Sequence, residues 1–154
     1  MKFLEVNNLD IEYQTRKETI YASKNVSFNL QRGEIIGIVG ESGSGKSTVA
    51  NAIINLIDKP GIITNGSIKL DGGELHNDTD IIKNIRGKKI GFIFQDPQTS
   101  LNPLFKIRDQ LIETIQTHSD LNFKEAESKS INLLREVGIE NPEKRIDDYP
   151  HQFS

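Results

Sequence analysis

The chain has 154 residues, of which 35% are hydrophobic and 27% charged, a composition typical of a soluble globular protein with one hydrophobic core. It has no cysteine, which excludes disulfides, thiolate metal sites and a cysteine nucleophile. The formal net charge of −3 argues against nucleic acid as the main ligand, because binding a phosphate backbone needs a concentrated basic surface. Its apolar stretches are too short to span a membrane, and no signal peptide opens the sequence.

The first third of the chain is predicted to form antiparallel β structure. Alternating apolar and polar residues indicate strands over 3–6, 11–13 and 20–30. A turn at 31–33 leads into residues 34–39, an almost wholly apolar run. Such a run is typical of a strand that is buried on both faces, so we expect a buried strand over 34–39.

A phosphate-binding loop follows this apolar run. Residues 40–48 match the pattern G-x-x-x-x-G-K-[ST], and an apolar helical periodicity begins after them. Glycines allow the backbone N–H groups to surround an anion at the start of a helix. In this pattern Lys46 reaches the outer phosphates and the Ser47 hydroxyl binds Mg²⁺. The alternative is a glycine-rich turn with a solvated lysine. The candidate ligand-binding residues are Gly40, Glu41, Ser42, Gly43, Ser44, Gly45, Lys46, Ser47 and Thr48.

The remaining chain is predicted to divide into β-rich and helical parts. A strand over 67–70, a charged helix over 78–86 and a buried strand over 90–94 complete a first domain, 1–94. The second domain, 95–154, is helical. We interpret a basic cluster in the first domain as a solvated helix end and turn, rather than a nucleic-acid patch. It comprises Lys83, Arg86, Lys88 and Lys89.

Two amphipathic helices are predicted in the second domain. Asn122 and Glu125 have the spacing of a capping box, and Gly138 stands where a C-terminal cap belongs. Helical spacing predicts two apolar faces. The first contains Ile107, Leu111 and Ile115, and the second contains Ala126, Leu133, Leu134 and Val137.

From end to end, these motifs resemble the ATP-binding subunits of ABC transporters. The segment 95–103, Gln-Asp-Pro-Gln-Thr-Ser-Leu-Asn-Pro, is similar to the branch that imports oligopeptides, dipeptides and nickel. The resemblance implies an α/β P-loop NTPase core with an N-terminal antiparallel β subdomain and the start of a helical subdomain. It also implies ATP and Mg²⁺ as cofactors, and Tyr13 as the aromatic residue that stacks on adenine. The implied catalytic residues are Lys46 and Gln95, of which Gln95 contacts the metal and the attacking water. Tyr21 is the alternative to Tyr13.

The C-terminal residues differ most from the family pattern. Residues 149–154 resemble the approach to the signature motif, and the chain ends at its serine, before the signature helix, the Walker B strand, the catalytic glutamate and the switch histidine. We read Asp96 as part of a loop rather than a Walker B acid, because Asp-Pro commonly opens a turn. The histidines, taken as surface or capping residues, are His76, His118 and His151. We therefore expect the N-terminal part of a longer ATPase, without multiple-turnover activity of its own.

The resemblance also implies partners. They are two transmembrane permease subunits, a second ATP-binding subunit and, indirectly, a substrate-binding protein, assembled on the cytoplasmic face of the cell membrane. The surface of this chain that docks on the permeases would include Leu101, Leu104 and Phe105. Core packing is the alternative for each of them. Without a Walker B strand, an unpaired apolar edge would favour self-association. Two other functions stay open: a stand-alone, non-catalytic nucleotide-binding or interaction module, and an ABC ATPase outside transport.

Overall fold

The computed structural model describes residues 2–75, 79–96 and 100–153. Their contacts divide the chain into two units, residues 1–90 and 91–154. The sequence-based boundary after residue 94 stays a prediction. Among the helices of the described ranges, none has both the length and the apolar character needed to cross a lipid bilayer.

A four-stranded antiparallel sheet organises the first unit. Its strands are β1 (Lys2–Gln14), β2 (Thr19–Gln31), β3 (Gly61–Leu70) and β4 (Gly73–Glu74), in the spatial order β2-β1-β3-β4. The prediction of antiparallel β structure in the first third is thereby confirmed. The two short strands predicted at 3–6 and 11–13 are one continuous strand.

A β-bulge explains why β1 remains amphipathic along its whole length. Val6 and Leu9 are both fully buried although they are three residues apart, which breaks the period of two. The pairing register shifts between them, and Asn8 has a φ of 48°. The extra residue returns Leu9 and Ile11 to the core face of the sheet.

Two helices supply the rest of this core. Helix α1 (Lys46–Ile53) follows the glycine loop, and α2 (Thr79–Ile85) follows β4. Both contribute aliphatic side chains that pack with those of the sheet in a single cluster. The buried members of this cluster are Leu4, Val6, Leu9, Ile11, Val49, Ala52, Ile68, Leu70, Leu75, Ile82 and Ile85.

The predictions of buried strands over 34–39 and 90–94 are wrong. Neither segment forms a strand within the described ranges, and no backbone hydrogen bond there involves residues 35–39. Ile35 is 96% exposed, Val39 95% and Ile93 90%. A strand takes its hydrogen bonds from neighbouring strands, and none of the described strands pairs with either segment. Ile36 and Ile38 are exposed to a smaller extent and border an open groove of about 470 Å³ beside β2 and α1.

The second unit is helical, as predicted. It contains α3 (Ile107–His118), α4 (Phe123–Glu136), α5 (Pro142–Arg145) and a 3₁₀ turn (Pro150–Gln152). The predicted capping box is confirmed, since the Glu125 N–H donates to the Asn122 side chain (3.1 Å) and the Asn122 N–H donates to the Glu125 carboxylate (2.9 Å). Gly138, with a φ of 83°, follows the end of α4, and its N–H donates to the carbonyl of Arg135.

The buried face of α4 differs from the predicted one. Its buried residues are Ala126, Ser130 and Leu134, whereas Leu133 is 39% and Val137 74% exposed. The Ser130 hydroxyl donates to the carbonyl of Ala126 (2.8 Å), so a polar residue occupies the core face without an unpaired group. Apolar spacing therefore predicted Ala126 and Leu134 correctly, missed the polar Ser130, and wrongly included Leu133 and Val137.

Candidate functional site

The glycine loop lies directly on the backbone of β2. Gly43 and Gly45 have φ values of 82° and 87°, a region that residues with a side chain rarely adopt. A Cβ atom on Gly45 would lie 2.0 Å from the carbonyl oxygen of Ala22. Glycine is therefore required at position 45 for two independent reasons, its backbone conformation and this close contact.

The start of α1 has the properties of an anion site. Gly45 is the N-cap and brings no side-chain hydrogen bond, and no acidic residue lies in the first turn. The Val49 N–H donates to the carbonyl of Gly45 (2.9 Å), so the preceding N–H groups of this turn lie before the first internal bond of the helix. Unpaired N–H groups and the positive end of the helix dipole favour an anion here.

Lys46 is folded over the loop. Its Nζ donates to the carbonyls of Gly40 (2.7 Å) and Glu41 (2.6 Å) and to the Ser44 hydroxyl (3.3 Å). Three neutral oxygens thus hold the ammonium group without neutralising its charge. Gly40 permits this arrangement, because a Cβ there would lie 2.7 Å from the Ser44 Oγ.

The donors for a metal ion are few. Ser47 is exposed, and its hydroxyl has no hydrogen bond within the described ranges. No group of three or more His, Cys, Asp or Glu side chains that could hold a metal occurs among the described residues. Ser47 offers one oxygen of the kind that Mg²⁺ takes, since this ion is usually held by one or two protein oxygens together with water and substrate phosphates.

The strand register separates the two candidate aromatic residues. Tyr13 pairs with Ile20 of β2 and Gly61 of β3, whereas Tyr21 pairs with Glu12. Neighbouring residues of a strand point to opposite faces, so Tyr13 shares the face of buried Ile11 and Tyr21 lies on the other face. The two candidates thus lie on opposite faces of the sheet, and which of them binds adenine stays a prediction.

Gly61 provides the surface on which the Tyr13 ring lies. A Cβ on Gly61 would be 2.8 Å from Tyr13 Cε1. The pairing of Gly61 with Tyr13 depends on the register of β1 and β3, which no local pattern revealed. The close contact between Gly45 and Ala22 was missed for the same reason.

The other predicted residues lie in the second unit or outside the described ranges. Gln95 is exposed and belongs to the second unit, so its role stays a prediction. Asp96 is also exposed, and Pro97 to Thr99 and His76 lie outside the described residues. His118 ends α3, and His151 is exposed, with its ring stacked on Tyr149 at 5.9 Å.

The three candidate docking residues differ in exposure. Leu101 packs against the cluster of Ile107, Leu134 and Ile146, which matches the core-packing alternative. Leu104 is 80% and Phe105 54% exposed. Leu104 and Phe105 therefore stay candidates for a contact with a partner.

One member of the basic cluster contradicts the sequence interpretation. Lys88 and Lys89 are exposed, as expected of solvated charges, but Arg86 is partly buried. Its guanidinium donates to the carbonyls of Ile54 (2.7 Å) and Asn55 (2.6 Å). The interpretation of Arg86 as a solvated residue is therefore wrong. The sequence could not reveal these contacts, because the two carbonyls lie 32 and 31 positions away along the chain.

Comparison with known proteins places these motifs in a family. The family model described as "ABC transporter" matches residues 23–154. The chain is 43% identical to the oligopeptide transport ATP-binding protein OppD of Bacillus subtilis over 155 residues, covering 99% of this chain and 43% of that protein. It is 39% identical to the dipeptide transport ATP-binding protein DppD of Haemophilus influenzae, covering 100% and 47%. The chain thus spans less than half the length of these relatives.

Solved structures agree with the sequence relatives. The ATP-binding cassette MJ0796, solved as a post-hydrolysis dimer bound to ADP and Pi, matches 98% of this chain with 63% of its own, at a TM-score of 0.83 and 32% identity. CbiO1 from Clostridium perfringens, part of the ABC transporter complex cbiONQ, matches with a TM-score of 0.73 and 27% identity, covering 100% of this chain and 57% of its own. The predicted α/β ATPase fold and the peptide-transport resemblance are confirmed. The chain belongs to the ABC transporter family.

Proposed function

We propose that this chain binds MgATP and forms the nucleotide-binding part of the energy-coupling subunit of an ABC importer. The observation that carries the proposal is the loop itself, where the Lys46 ammonium is held by neutral oxygens next to the start of α1. A cation beside a helix N-terminus favours an anion with several charges. A triphosphate meets that requirement.

Within this proposal each residue has a distinct task. The N–H groups of Gly43 and of residues 45–48 hold the phosphates, Lys46 neutralises their outer charge, and the remaining loop residues shape the backbone. Ser47 contributes an oxygen to Mg²⁺, and Tyr13 stacks on the adenine ring. When bound, the metal would neutralise phosphate charge. Gln95 is proposed as its further contact and as a residue that orients the attacking water.

Peptides are the proposed transported class. The relatives with about 40% identity carry names for oligopeptide or dipeptide transport, which supports peptides over the nickel or metal-chelate substrates that the resemblance also implies. The partners would be two permease subunits and a second ATP-binding subunit, with a substrate-binding protein acting through the permeases. Assembly would place the subunit on the inner face of the membrane, with Leu104 and Phe105 at the permease contact.

We expect the 154-residue chain to bind ATP without turning it over repeatedly. Phosphoryl transfer to water requires positioned metal, an oriented nucleophile and stabilisation of charge at the γ-phosphate, and the sequence contains motifs for only part of that set. Steady phosphate release from the purified chain that is abolished by Lys46→Ala would contradict this expectation.

A competition series tests the binding proposal. A fluorescent ATP analogue is bound to the purified chain with Mg²⁺ and then displaced by ATP, ADP, AMP or adenosine. We expect displacement to weaken as phosphates are removed, since the loop contributes most of the affinity. Equal displacement by AMP and ATP, or no binding of the analogue, would contradict a triphosphate site at residues 40–48.

A further inference from the structure

Arg86 joins the turn after α2 to the helix that carries the phosphate loop. Its Nε donates to the carbonyl of Ile54 at 2.7 Å, and its Nη2 donates to the carbonyl of Asn55 at 2.6 Å. The side chain is partly buried. Two short, charge-assisted hydrogen bonds from one planar group fix its direction as well as its distance.

The two carbonyls that accept from Arg86 directly follow the last residue of α1. Asn55 has a φ of 52°, its N–H donates to Ala52 (3.0 Å), and the Leu56 N–H donates to Asn51 (2.8 Å). This is a Schellman arrangement, which satisfies the carbonyls of residues 51 and 52. Arg86 satisfies two of the carbonyls that follow and places a positive charge at the negative end of the helix dipole.

Helix α1 depends on such contacts because it is short. It contains eight residues, too few for an isolated helix to be stable in water. Only Val49 and Ala52 are buried, and the N-cap Gly45 contributes no side-chain hydrogen bond. At the C-terminal end, Ile54 is buried and Ile53 packs against the core cluster. The position of the helix is therefore set by these apolar contacts, by the contact of Gly45 with β2, and by Arg86 at the other end.

The backbone that carries Arg86 is itself fixed. The Arg86 N–H donates to the carbonyl of Ile82 (3.0 Å), and the Gly87 N–H donates to the carbonyl of Ile90 (2.9 Å) in the turn that follows. Ile82 and Ile85 are buried in the core cluster of the unit. The guanidinium therefore extends from an element that is itself anchored in the core.

We propose that Arg86 is a positioning residue for the phosphate loop. By holding the C-terminal end of α1, it fixes the tilt of the helix and so the place of the N–H groups at its opposite end. The predicted effect on nucleotide affinity rests on the proposed function. The hydrogen bonds between Arg86 and the end of α1 do not depend on it. A lysine at position 86 would keep the charge and lose the two-pronged geometry, so it should restore only part of the effect.

The test compares Arg86→Gln, Arg86→Lys and Lys88→Gln in the purified chain. Lys88→Gln is the matched control, because it removes the same charge from an exposed side chain in the same turn. Amide hydrogen exchange is measured without nucleotide, and MgATP affinity is measured well below the melting temperature. We expect Arg86→Gln to raise exchange in residues 49–56 by about tenfold and to weaken MgATP by a similar factor. Arg86→Lys should be intermediate and Lys88→Gln unchanged.

The exchange measurement decides the role of Arg86 independently of binding. Unchanged protection of residues 49–56 in both Arg86 variants would overturn the proposal. So would a loss of protection spread equally over β1 and β3, because Arg86 would then be a general stability residue. If the unmodified chain does not bind MgATP, the proposed function fails, while exchange still shows whether Arg86 holds α1. Normal affinity in a chain with a loosened α1 would overturn the positioning role alone.

Discussion

The helical unit and the segment before the phosphate loop carried equally clear apolar patterns, and only the first formed the expected element. Helices α3 and α4 bury Ile107, Ile112 and Ala126 in small clusters. Residues 35–39 form no backbone hydrogen bond within the described ranges, and Ile35 and Val39 are almost fully exposed. A helix contains its own hydrogen bonds, whereas a strand depends on its neighbours. An apolar run therefore predicts burial only if another strand is present to pair with it.

The largest effect is expected from Gly45→Ala, which should affect the loop-bearing unit and spare the helical one. The new Cβ would lie 2.0 Å from the Ala22 carbonyl oxygen, on a residue with positive φ. We expect a loss of about 3 kcal/mol in the free energy of unfolding of the first unit, with nucleotide binding abolished. Hydrogen exchange resolved by peptide measures each unit separately.

Gly43→Ala is the control for that substitution. Gly43 also has positive φ, but nothing lies within 4 Å of the position that its new methyl group would occupy, so only the backbone cost of about 1 kcal/mol applies. Equal destabilisation by the two substitutions would show that the contact with β2 is unimportant. Reduced protection of α3 and α4 would show that the two units do not respond separately.

The exposed apolar segment 35–39 should promote self-association of the chain. Unpaired N–H and C=O groups beside apolar side chains are a template for pairing with another chain, so we expect concentration-dependent association. Replacing Ile35 and Val39 together by lysine should weaken it by about tenfold. Val137→Lys, at an exposed apolar residue of the helical unit, is the matched control. Sedimentation velocity that shows a monomer at all concentrations would contradict the role of this segment.

A smaller effect is expected at the start of α4. The reciprocal hydrogen bonds of Asn122 and Glu125 satisfy two backbone N–H groups, and Asn122→Ala removes one of them. The expected loss is about 1 kcal/mol in the stability of the helical unit. Chemical denaturation followed by helix-specific hydrogen exchange measures it. Ser128→Ala, at an exposed position of the same helix, controls for the introduction of alanine.

The smallest effect concerns the pH dependence of the helical unit. The backbone N–H of Glu143, and after it the ion pair with Arg135, lower the pKa of this exposed carboxyl below its ordinary value. A pKa that is lower in the folded state stabilises the unit above the unfolded pKa, and this contribution is lost as the pH falls through the folded value. Glu143→Gln should therefore reduce the difference in melting temperature between about pH 6 and about pH 3. An unchanged difference would contradict the coupling.

The sequence predicted features with a local cause and missed those that depend on distant contacts. The loop pattern at 40–48, the capping box at Asn122 and the alternation in β2 each follow from nearby residues. The contact of Gly45 with Ala22, the ring of Tyr13 on Gly61 and the hydrogen bonds of Arg86 require the register or the packing of separate elements. Because charge runs usually face water, nothing near Arg86 distinguished it from Lys88.

Calorimetric titration of MgATP into the unmodified chain and into Lys46→Ala tests the central claim most directly. Loss of the ammonium removes the cation that the loop holds through Gly40 and Glu41. We expect saturable binding at one site per unmodified chain, weakened at least about tenfold by Lys46→Ala, with Lys88→Ala unchanged as the control. Absence of binding, or equal affinity in the unmodified chain and Lys46→Ala, would contradict a nucleotide site at this loop.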